Sequence, residues 1–293
     1  MAKARALDKR RKSIRNIRKI TRTMELIATA KFKKAMDLAT ASVAFTKRVT
    51  RLLTDLASAG LKVTHPLLEP RETTNNAVIL VLTANRGLCG GYNGSIVRLA
   101  LPRIEELKGT VPNVRIEVSG KRGISAFRFR KIEVHETYTQ FDDQPKFEQV
   151  LPIANRYLDD YASGKLDRLD VVYTRFVSAS KQVAVIETLL PLTSLSAEKA
   201  TEETQTKIEY EFLPSAESIL EEVVPSSFRV KLLKCFLDAA VSEQIARMVA
   251  MKSATKSASD MIKSLSTAYN RARQSQITGE IMEILGGVEA LKQ

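Results

Sequence analysis

The residues whose types and spacing could do chemistry include two glycine clusters, at 82–91 (LTANRGLCGG) and 120–123 (GKRG). A glycine-rich turn between a strand and a helix can hold a phosphate group on its backbone amides. The first cluster lacks the Gly-Lys-Ser/Thr ending of a P-loop and the spacing of a dinucleotide fingerprint. The second has a lysine but no serine or threonine to hold magnesium. We therefore interpret both clusters as tight strand-to-helix turns rather than as a nucleotide site.

Histidines, cysteines and acidic pairs form no catalytic or metal-binding pattern. His65 and His135 lie far apart in sequence, and neither Cys89 nor Cys235 belongs to a CxxC motif or lies beside a histidine. Three acidic pairs are adjacent in sequence and would point in different directions on a helix: Glu105–Glu106, Asp142–Asp143 and Glu221–Glu222. We predict no catalytic, cofactor-binding or metal-binding residues, and two cysteines without a disulfide framework indicate a reducing compartment.

A long N-terminal helix is the first element that could position a site. The first glycine is Gly60 and the first proline is Pro66, so residues 1–59 contain neither helix breaker. Steps of three and four residues within this stretch predict a coiled-coil seam with polar interruptions at Thr21, Lys31 and Ser42. The predicted seam positions are Ile14, Ile17, Thr21, Met24, Ala28, Lys31, Ala35, Leu38, Ser42, Phe45, Val49, Leu52 and Leu56.

A second long helix is predicted after Pro225, the last proline, because no glycine follows before Gly279. Its seam is predicted at Val241, Ile245, Met248, Ala258, Met261, Leu265, Ala268 and Ala272. Two such helices at opposite ends of a chain bury their seams most simply by packing antiparallel against each other. A 55-residue helix would be about 80 Å long, whereas a compact chain of this length is only ~50 Å across. We therefore expect a protruding coiled coil that inserts into a partner.

The middle of the chain alternates strand-like and helix-like segments. Strands are expected at 78–82, 114–118, 131–138, 169–178, 182–190 and 208–213, the last after a loop at 193–207. Helices are expected at 93–107, just after the GKRG turn, and at 146–162. The alternation predicts a mostly parallel, Rossmann-like sheet covered by helices. The domains expected are an N-terminal coiled-coil helix at 1–60, an α/β globular domain at 61–225 and a C-terminal coiled-coil helix at 226–293.

The charge is concentrated at one end. The 293-residue chain has 46 lysines and arginines against 33 acids, a net charge of +13, and residues 1–56 hold 16 of the basic residues with four acids. This pattern indicates an acidic counter-surface. A basic coiled-coil protein that binds nucleic acid is the alternative. Against it stand the helical seam, the lack of a nucleic-acid-binding signature and the presence of only two aromatic residues, Phe32 and Phe45, in this stretch.

No apolar run reaches 18 residues, and the basic N-terminus is not followed by the apolar stretch of a signal peptide. We therefore expect a soluble chain whose contact with a membrane is peripheral or made through a partner.

Four sequence blocks, in this order, identify a family: 17–31 (IRKITRTMELIATAK), 85–91 (NRGLCGG), 242–252 (SEQIARMVAMK) and 269–281 (YNRARQSQITGEI). Along its whole length the chain resembles the gamma subunit of F-type ATP synthases, the central rotor shaft, in its bacterial form. The resemblance implies an antiparallel coiled coil of the terminal helices inside a ring of three alpha and three beta subunits. It also implies an α/β foot that binds the epsilon subunit and sits on the c-ring of Fo.

The resemblance further implies a non-catalytic subunit. Rotation of the c-ring, driven by protons, would turn the shaft and change the affinities of nucleotide sites in the beta subunits. The chain would lie at the cytoplasmic face of the bacterial plasma membrane, touching the membrane only through Fo, without cofactors and without direct nucleic-acid contact.

The site residues implied by the resemblance lie on the coiled coil. Contacts to a catch loop of a beta subunit map to Arg273 and Gln274, and positions that influence coupling map to Met24, Arg247, Gln274, Thr278 and Glu280. Gly279 stands before Glu280 where many relatives have a better helix former, so a weaker helix is expected there. The chain lacks the cysteine-bearing regulatory insertion of chloroplast relatives, which argues against thiol regulation.

Overall fold

The computed structural model describes residues 2–58, 65–68, 71, 73–141, 144–192 and 216–291. The elements in chain order are α1 (Ala2–Ser58), β1 (Asn76–Leu82), α2 (Tyr92–Thr110), β2 (Asn113–Ser119), α3 (Lys121–Phe129), β3 (Glu136–Tyr138), α4 (Phe147–Ala162), β4 (Arg168–Ser178), β5 (Lys181–Leu190) and α5 (Ala216–Ala290). The strand predicted at 208–213 and the loop predicted at 193–207 lie outside the described residues.

The terminal helices are long, as predicted, but the start of α5 differs from the prediction. It begins at Ala216, so Pro225 lies inside the helix rather than before it. Proline costs a helix interior a hydrogen bond. Here its neighbours Val224 and Phe228 are fully buried against the sheet, and this apolar burial offsets the cost. The helix also continues through Gly279.

The chain divides into two compact units. Unit 1 comprises Met1–Thr29 and Arg247–Gln293, and unit 2 comprises Ala30–Ala246. In unit 1 the two helices run antiparallel, since Thr21 contacts Thr255 whereas the earlier Arg11 contacts the later Tyr269. The predicted antiparallel pairing of the terminal helices is confirmed.

Part of the predicted seam differs from the observed one. The predicted position Ala268 is exposed, and the side chains of the predicted positions 42–56 lie outside the described residues. On α1, Thr21 and Ala28 are buried as predicted, but the intervening seam position is Glu25, which is 8% exposed, rather than Met24, which is half-buried. Ile17 is 44% exposed and Met261 on α5 is 50% exposed, so both predicted seam positions are wrong. The observed seam residues of unit 1 are Ala4, Arg11, Ile14, Thr21, Glu25 and Ala28 on α1, and Met251, Thr255, Ala258, Ile262, Leu265, Tyr269 and Ala272 on α5.

The displacement has a simple cause. Seam positions can be spaced by three and then four residues, or by four and then three. The two patterns share every seventh residue, and the positions between the shared residues differ by one. Apolar character favoured Met24 and Met261, whereas packing buries more of the neighbouring Glu25 and Ile262; at Ile17 both neighbouring residues are exposed as well. The same shift occurs within unit 2, where Ala39 is buried and the predicted Leu38 is exposed.

Unit 2 contains a five-stranded sheet in the order β3-β2-β1-β4-β5. The first four strands are parallel, and β5 pairs antiparallel with β4. The mostly parallel α/β sheet predicted for the middle segment is therefore confirmed. Of the strand-like run at 131–138, only Glu136–Tyr138 is a strand.

Alternate residues of β1 serve two apolar cores. Val78, Leu80 and Leu82 face a core built with α4 and with α5 residues such as Phe228 and Phe236. Ala77, Ile79 and Val81 face the opposite core, formed with α2 and α3. Helices thus cover both faces of β1, which explains why its central residues are continuously apolar.

Candidate functional site

The glycine clusters act as turns, as the sequence indicated. Gly120 has a φ of 98°, and a Cβ atom built on it would lie 2.1 Å from the carbonyl oxygen of Thr83. A Cβ on Gly123 would lie 2.4 Å from the Thr83 hydroxyl oxygen. The two glycines therefore let the start of α3 pack directly against the end of β1.

The amides at this turn are already engaged. The amide of Gly123 donates to Thr83 Oγ1 (2.9 Å), the amide of Lys121 donates to Asn85 Oδ1 (3.1 Å) and the amide of Arg122 donates to the carbonyl of Ala84 (3.1 Å). A phosphate group would have to displace these partners. The cavity beside the turn measures about 40 Å³, far below the ~300 Å³ or more of an ordinary ligand pocket. This edge of the sheet therefore does not fit a nucleotide.

The histidines and cysteines make local contacts. The His65 ring accepts a hydrogen bond from the amide of Leu67 (3.1 Å), and the His135 ring accepts one from the amide of Ile116 (3.2 Å). Burial lowers the pKa of His65. Cys89 and Cys235 are both buried, and burial raises the pKa of the Cys235 thiol. Within the residues that the structure describes, no group of three or more metal-ligating side chains comes together.

Two buried carboxylates in unit 2 were not anticipated from the sequence. Glu117 Oε2 accepts hydrogen bonds from the hydroxyls of Tyr138 (2.7 Å) and Tyr157 (2.6 Å) and from Arg156 (2.6 Å). Burial, together with this carboxylate, raises the pKa values of both tyrosines. The cluster ties β2, β3 and α4 together, although Arg156 Nε is buried without a hydrogen-bond partner among the described residues.

Asp170 on β4 is the second of these carboxylates and is fully buried. Arg103 binds its Oδ2 through two nitrogens, at 2.8 and 2.7 Å, while Arg168 (3.0 Å) and Thr188 (2.8 Å) bind its Oδ1. A buried charge needs such complete pairing. The arrangement joins α2, β4 and β5 and is structural.

The residues implied by the family resemblance all lie in unit 1. Arg247 is 7% exposed and Met24 is half-buried, whereas the remaining four are exposed on the last third of α5. Those four are Arg273, Gln274, Thr278 and Glu280. Glu280 makes a local contact, since its Oε1 accepts a hydrogen bond of 2.8 Å from Gln276 Nε2.

The structure does not gather these six residues into one place. Arg247 and Arg273 are separated along α5 by about 39 Å, at ~1.5 Å per residue. At 100° per residue, Arg273 and Glu280 share one face of α5, and Gln274 and Thr278 share another. They are therefore spread along the coiled coil rather than gathered in a pocket.

Unit 1 also contains two contacts between its helices that the sequence analysis missed. The guanidinium of Arg11 lies 4.6 Å from the centre of the Tyr269 ring, and Thr255 Oγ1 lies 2.9 Å from Thr21 Oγ1. Arg11 also binds Asp8 at 2.6 Å. The i, i+3 spacing of Asp8 and Arg11 was a usable sequence signal; the helix register needed to place Tyr269 was not.

The end of α5 carries an exposed apolar stripe. Its side chains recur in steps of four and three residues and are between 43% and 89% exposed. The stripe consists of Ile277, Ile281, Ile284, Val288 and Leu291. The stripe begins one residue after Gln276, which is half-buried, and is turned from it by about 100°. A contiguous apolar stripe on a solvent-exposed helix is typical of a partner-contact surface. Among the residues that are described, none of the helices is both long and apolar enough to cross a membrane.

Comparison with known proteins identifies the family of the chain. Residues 3–291 match a family model described as ATP synthase. A protein of Rhodopirellula baltica named ATP synthase gamma chain is 66% identical over 295 residues, covering all of both chains. The ATP synthase gamma chain of Leptospira biflexa is 38% identical over 99% of this chain and all of its own length.

Solved structures share the fold. A chain of the Euglena gracilis mitochondrial ATP synthase (OSCP/F1/c-ring) matches with a TM-score of 0.65 at 18% identity, over 99% of this chain and 95% of that one. A chain of the Tetrahymena thermophila mitochondrial ATP synthase central stalk and c-ring matches with a TM-score of 0.55 at 19% identity, over 80% of this chain and 99% of that one. With full-length sequence relatives at 66% and 38% identity, the chain belongs to the ATP synthase gamma-chain family.

Proposed function

We propose that this chain is the central rotor shaft of an F-type ATP synthase. It couples proton-driven rotation of the c-ring to ATP synthesis in a ring of three alpha and three beta subunits, and couples ATP hydrolysis to the reverse rotation. The observation that carries this proposal is the 66% identity, from end to end, to a bacterial ATP synthase gamma chain. No comparable observation favours nucleic-acid binding.

The surface of unit 1 fits a shaft that turns inside a bearing. The apolar stripe at the end of α5 offers contact area without directional hydrogen bonds, and so it tolerates rotation against a partner. The exposed side of α1 carries closely spaced cations, which attract acidic segments of the beta subunits over a distance of about 10 Å. These cations include Arg15, Arg18, Lys19 and Arg22.

The partners and the location follow from this role. Residues 61–225, which lie within unit 2, supply the foot, which rests on the c-ring of Fo and binds the epsilon subunit. Residues 1–60 and 226–293 supply the two shaft helices. Nucleotide chemistry takes place in the beta subunits. The assembly places the chain peripherally at the cytoplasmic face of the bacterial plasma membrane.

Co-purification tests the proposed function. An affinity tag on the full chain should retrieve alpha, beta and epsilon subunits with ATPase activity from detergent-solubilised membranes, together with the c-ring. Retrieval of the chain alone or with nucleic acid, under conditions that preserve the enzyme, would contradict the proposal.

A matched pair of variants tests the apolar stripe. Ile281→Asp places a carboxylate in the stripe, whereas Met282→Asp places one on a residue of similar exposure turned about 100° away. We expect Ile281→Asp to reduce recovery of alpha and beta subunits severalfold and Met282→Asp to reduce it less. Equal recovery with both variants would show that the stripe is not the contact surface.

A further inference from the structure

Arg11 on α1 stacks on Tyr269 of α5, which lies fourteen residues nearer to the exposed end of α5 than Thr255, the partner of Thr21. Its guanidinium carbon is 4.6 Å from the centre of the Tyr269 ring, which is cation–π geometry. Tyr269 is half-buried on the observed seam, whereas Arg273, one turn later on the same face, is exposed. The stack therefore lies one helical turn before Arg273, inside a paired stretch that continues to Ala272 on α5 and to Ala4 on α1.

The Arg11 side chain is itself held in place. Its Nη2 donates to Asp8 Oδ1 at 2.6 Å, and Lys12 binds the other oxygen of Asp8 at 3.0 Å. Hydrogen bonds from Lys12 and Arg11 lower the pKa of Asp8, so the carboxylate is ionised at neutral pH. The Arg11 side chain is only 18% exposed, and its Nε is buried without a hydrogen-bond partner among the described residues.

Leaving a guanidinium nitrogen buried and unpaired is unfavourable. A lysine would cover Asp8 equally well from this position but could not lay a planar group on the ring. The geometry thus favours the stack over the ion pair as the reason for an arginine at position 11.

We propose that Arg11 is a positioning residue: by stacking on Tyr269 it anchors α5 against α1 one turn before Arg273 and Gln274, and so fixes where those two side chains are presented. The second half of this statement rests on the proposed function and on the family resemblance, which implies that Arg273 and Gln274 contact a catch loop of a beta subunit. The first half concerns this chain alone and can be tested separately.

Amide hydrogen exchange on the purified full chain tests the anchor. Tyr269→Leu removes the ring while keeping an apolar side chain, and Tyr269→Phe keeps the ring. A partly buried cation–π contact supports at least about a two- to fivefold effect on local opening. We expect exchange at 270–276 to be faster by this factor in Tyr269→Leu and in Arg11→Lys, and unchanged in Tyr269→Phe.

Thr255→Val is the control for a general weakening of helix pairing. It removes a contact between the same two helices about 21 Å from Tyr269, towards the start of α5. It should accelerate exchange near residue 255 and leave 270–276 unchanged. Equal acceleration at 270–276 in Thr255→Val and Tyr269→Leu, or no acceleration in Tyr269→Leu, would overturn the anchor.

Proton pumping in the assembled enzyme tests the positioning role. Tyr269→Leu should lower the number of protons pumped per ATP hydrolysed, and Tyr269→Phe should not. Accelerated exchange with unchanged pumping would overturn the positioning role, because the anchor would then have only a structural effect. Failure of the unmodified chain to assemble with alpha and beta subunits would instead contradict the proposed function.

Discussion

Thr21 and Thr255 face each other across the two helices of unit 1, with their hydroxyl oxygens 2.9 Å apart. Thr21 Oγ1 is also 3.1 Å from the carbonyl of Arg18, and Thr255 Oγ1 is 2.8 Å from the carbonyl of Met251. Two hydroxyl protons serve these three short contacts. Either Thr255 donates to Thr21, which donates to its own helix, or the chain of donors runs the opposite way.

Removing one hydroxyl leaves a single proton for the pair. We expect Thr255→Val to destabilise the chain by about 1 kcal/mol, the net contribution of a partly buried hydrogen bond. Thr255→Ser keeps the hydroxyl and should recover most of this loss. Urea unfolding of the three proteins measures the effect, and equal stability of the Val and Ser variants would show that the hydrogen bond contributes little.

Gly120 is a position where glycine is required. An alanine Cβ would lie 2.1 Å from the carbonyl oxygen of Thr83, on a backbone with a φ of 98°. We expect Gly120→Ala to destabilise the chain by about 3 kcal/mol or more, by combining backbone strain with a clash against main chain.

Gly109 on α2 provides the control, because a Cβ there would meet no atom within 4 Å. Gly109→Ala should stabilise the chain by about 0.5 kcal/mol through helix propensity. Thermal unfolding measures both changes. A Gly120→Ala variant as stable as the Gly109→Ala variant would contradict this account of the turn.

The seam shows how far the sequence can predict this fold. The length of the helices can be predicted from the absence of glycine and proline, and the seam period of 3.5 residues can be predicted from positions such as Ala28, Ala258 and Leu265. Which of two adjacent residues faces the other helix cannot be predicted in the same way, because apolar character favours Ile17 and Met261, which are exposed. Their side chains are free to contact a partner, and a pattern of apolar residues cannot distinguish that purpose from helix pairing.

The glycine turns and the sheet were more predictable than the polar groups. Turn chemistry is local, and therefore the GKRG segment between a strand and a helix could be recognised. The cluster around Glu117 joins residues up to 40 positions apart, and the pairing of Asp170 with Arg103 spans 67 positions. Such pairs depend on the tertiary fold, and one sequence gives no signal for them.

Asp238 on α5 is expected to make the stability of the chain depend on pH. It is 4% exposed, and its Oδ2 has no hydrogen-bond partner within the described part of the chain. Burial raises its pKa from 3.8 to about 6, a change that Lys234 and Arg175 oppose and Glu187 reinforces. The folded chain therefore binds this proton more tightly than the unfolded chain does. Stability should fall as the pH rises from about 4 to about 6 and then level off.

Asp238→Asn imitates the protonated form. We expect it to stabilise the chain at pH 7 by about 1–3 kcal/mol, and to change stability little at pH 4. Urea unfolding at the two pH values measures this difference. Asp260→Asn, an exposed substitution on the same helix, is the control. If both variants kept the pH dependence of the original chain, Asp238 would not be its source.

Met24→Lys tests the link between the shaft surface and coupling. Met24 is half-buried beside Glu25, whose Oε1 already accepts a hydrogen bond from Arg22 at 2.8 Å. A lysine at position 24 would extend outward and pair with an acidic segment of a beta subunit. An exposed ion pair contributes about 0.2–1 kcal/mol. A rotation step that must break it would slow by up to about fivefold.

We expect the Met24→Lys enzyme to pump fewer protons per ATP hydrolysed, while Met24→Leu, which keeps an apolar side chain of similar volume, behaves as the original. Because the added interaction is electrostatic and exposed, raising the ionic strength from about 0.05 to 0.5 M should restore part of the pumping. Simultaneous measurement of ATP hydrolysis and vesicle acidification gives the ratio. Unchanged pumping per ATP in the lysine variant would show that this part of α1 does not pass an acidic surface during rotation.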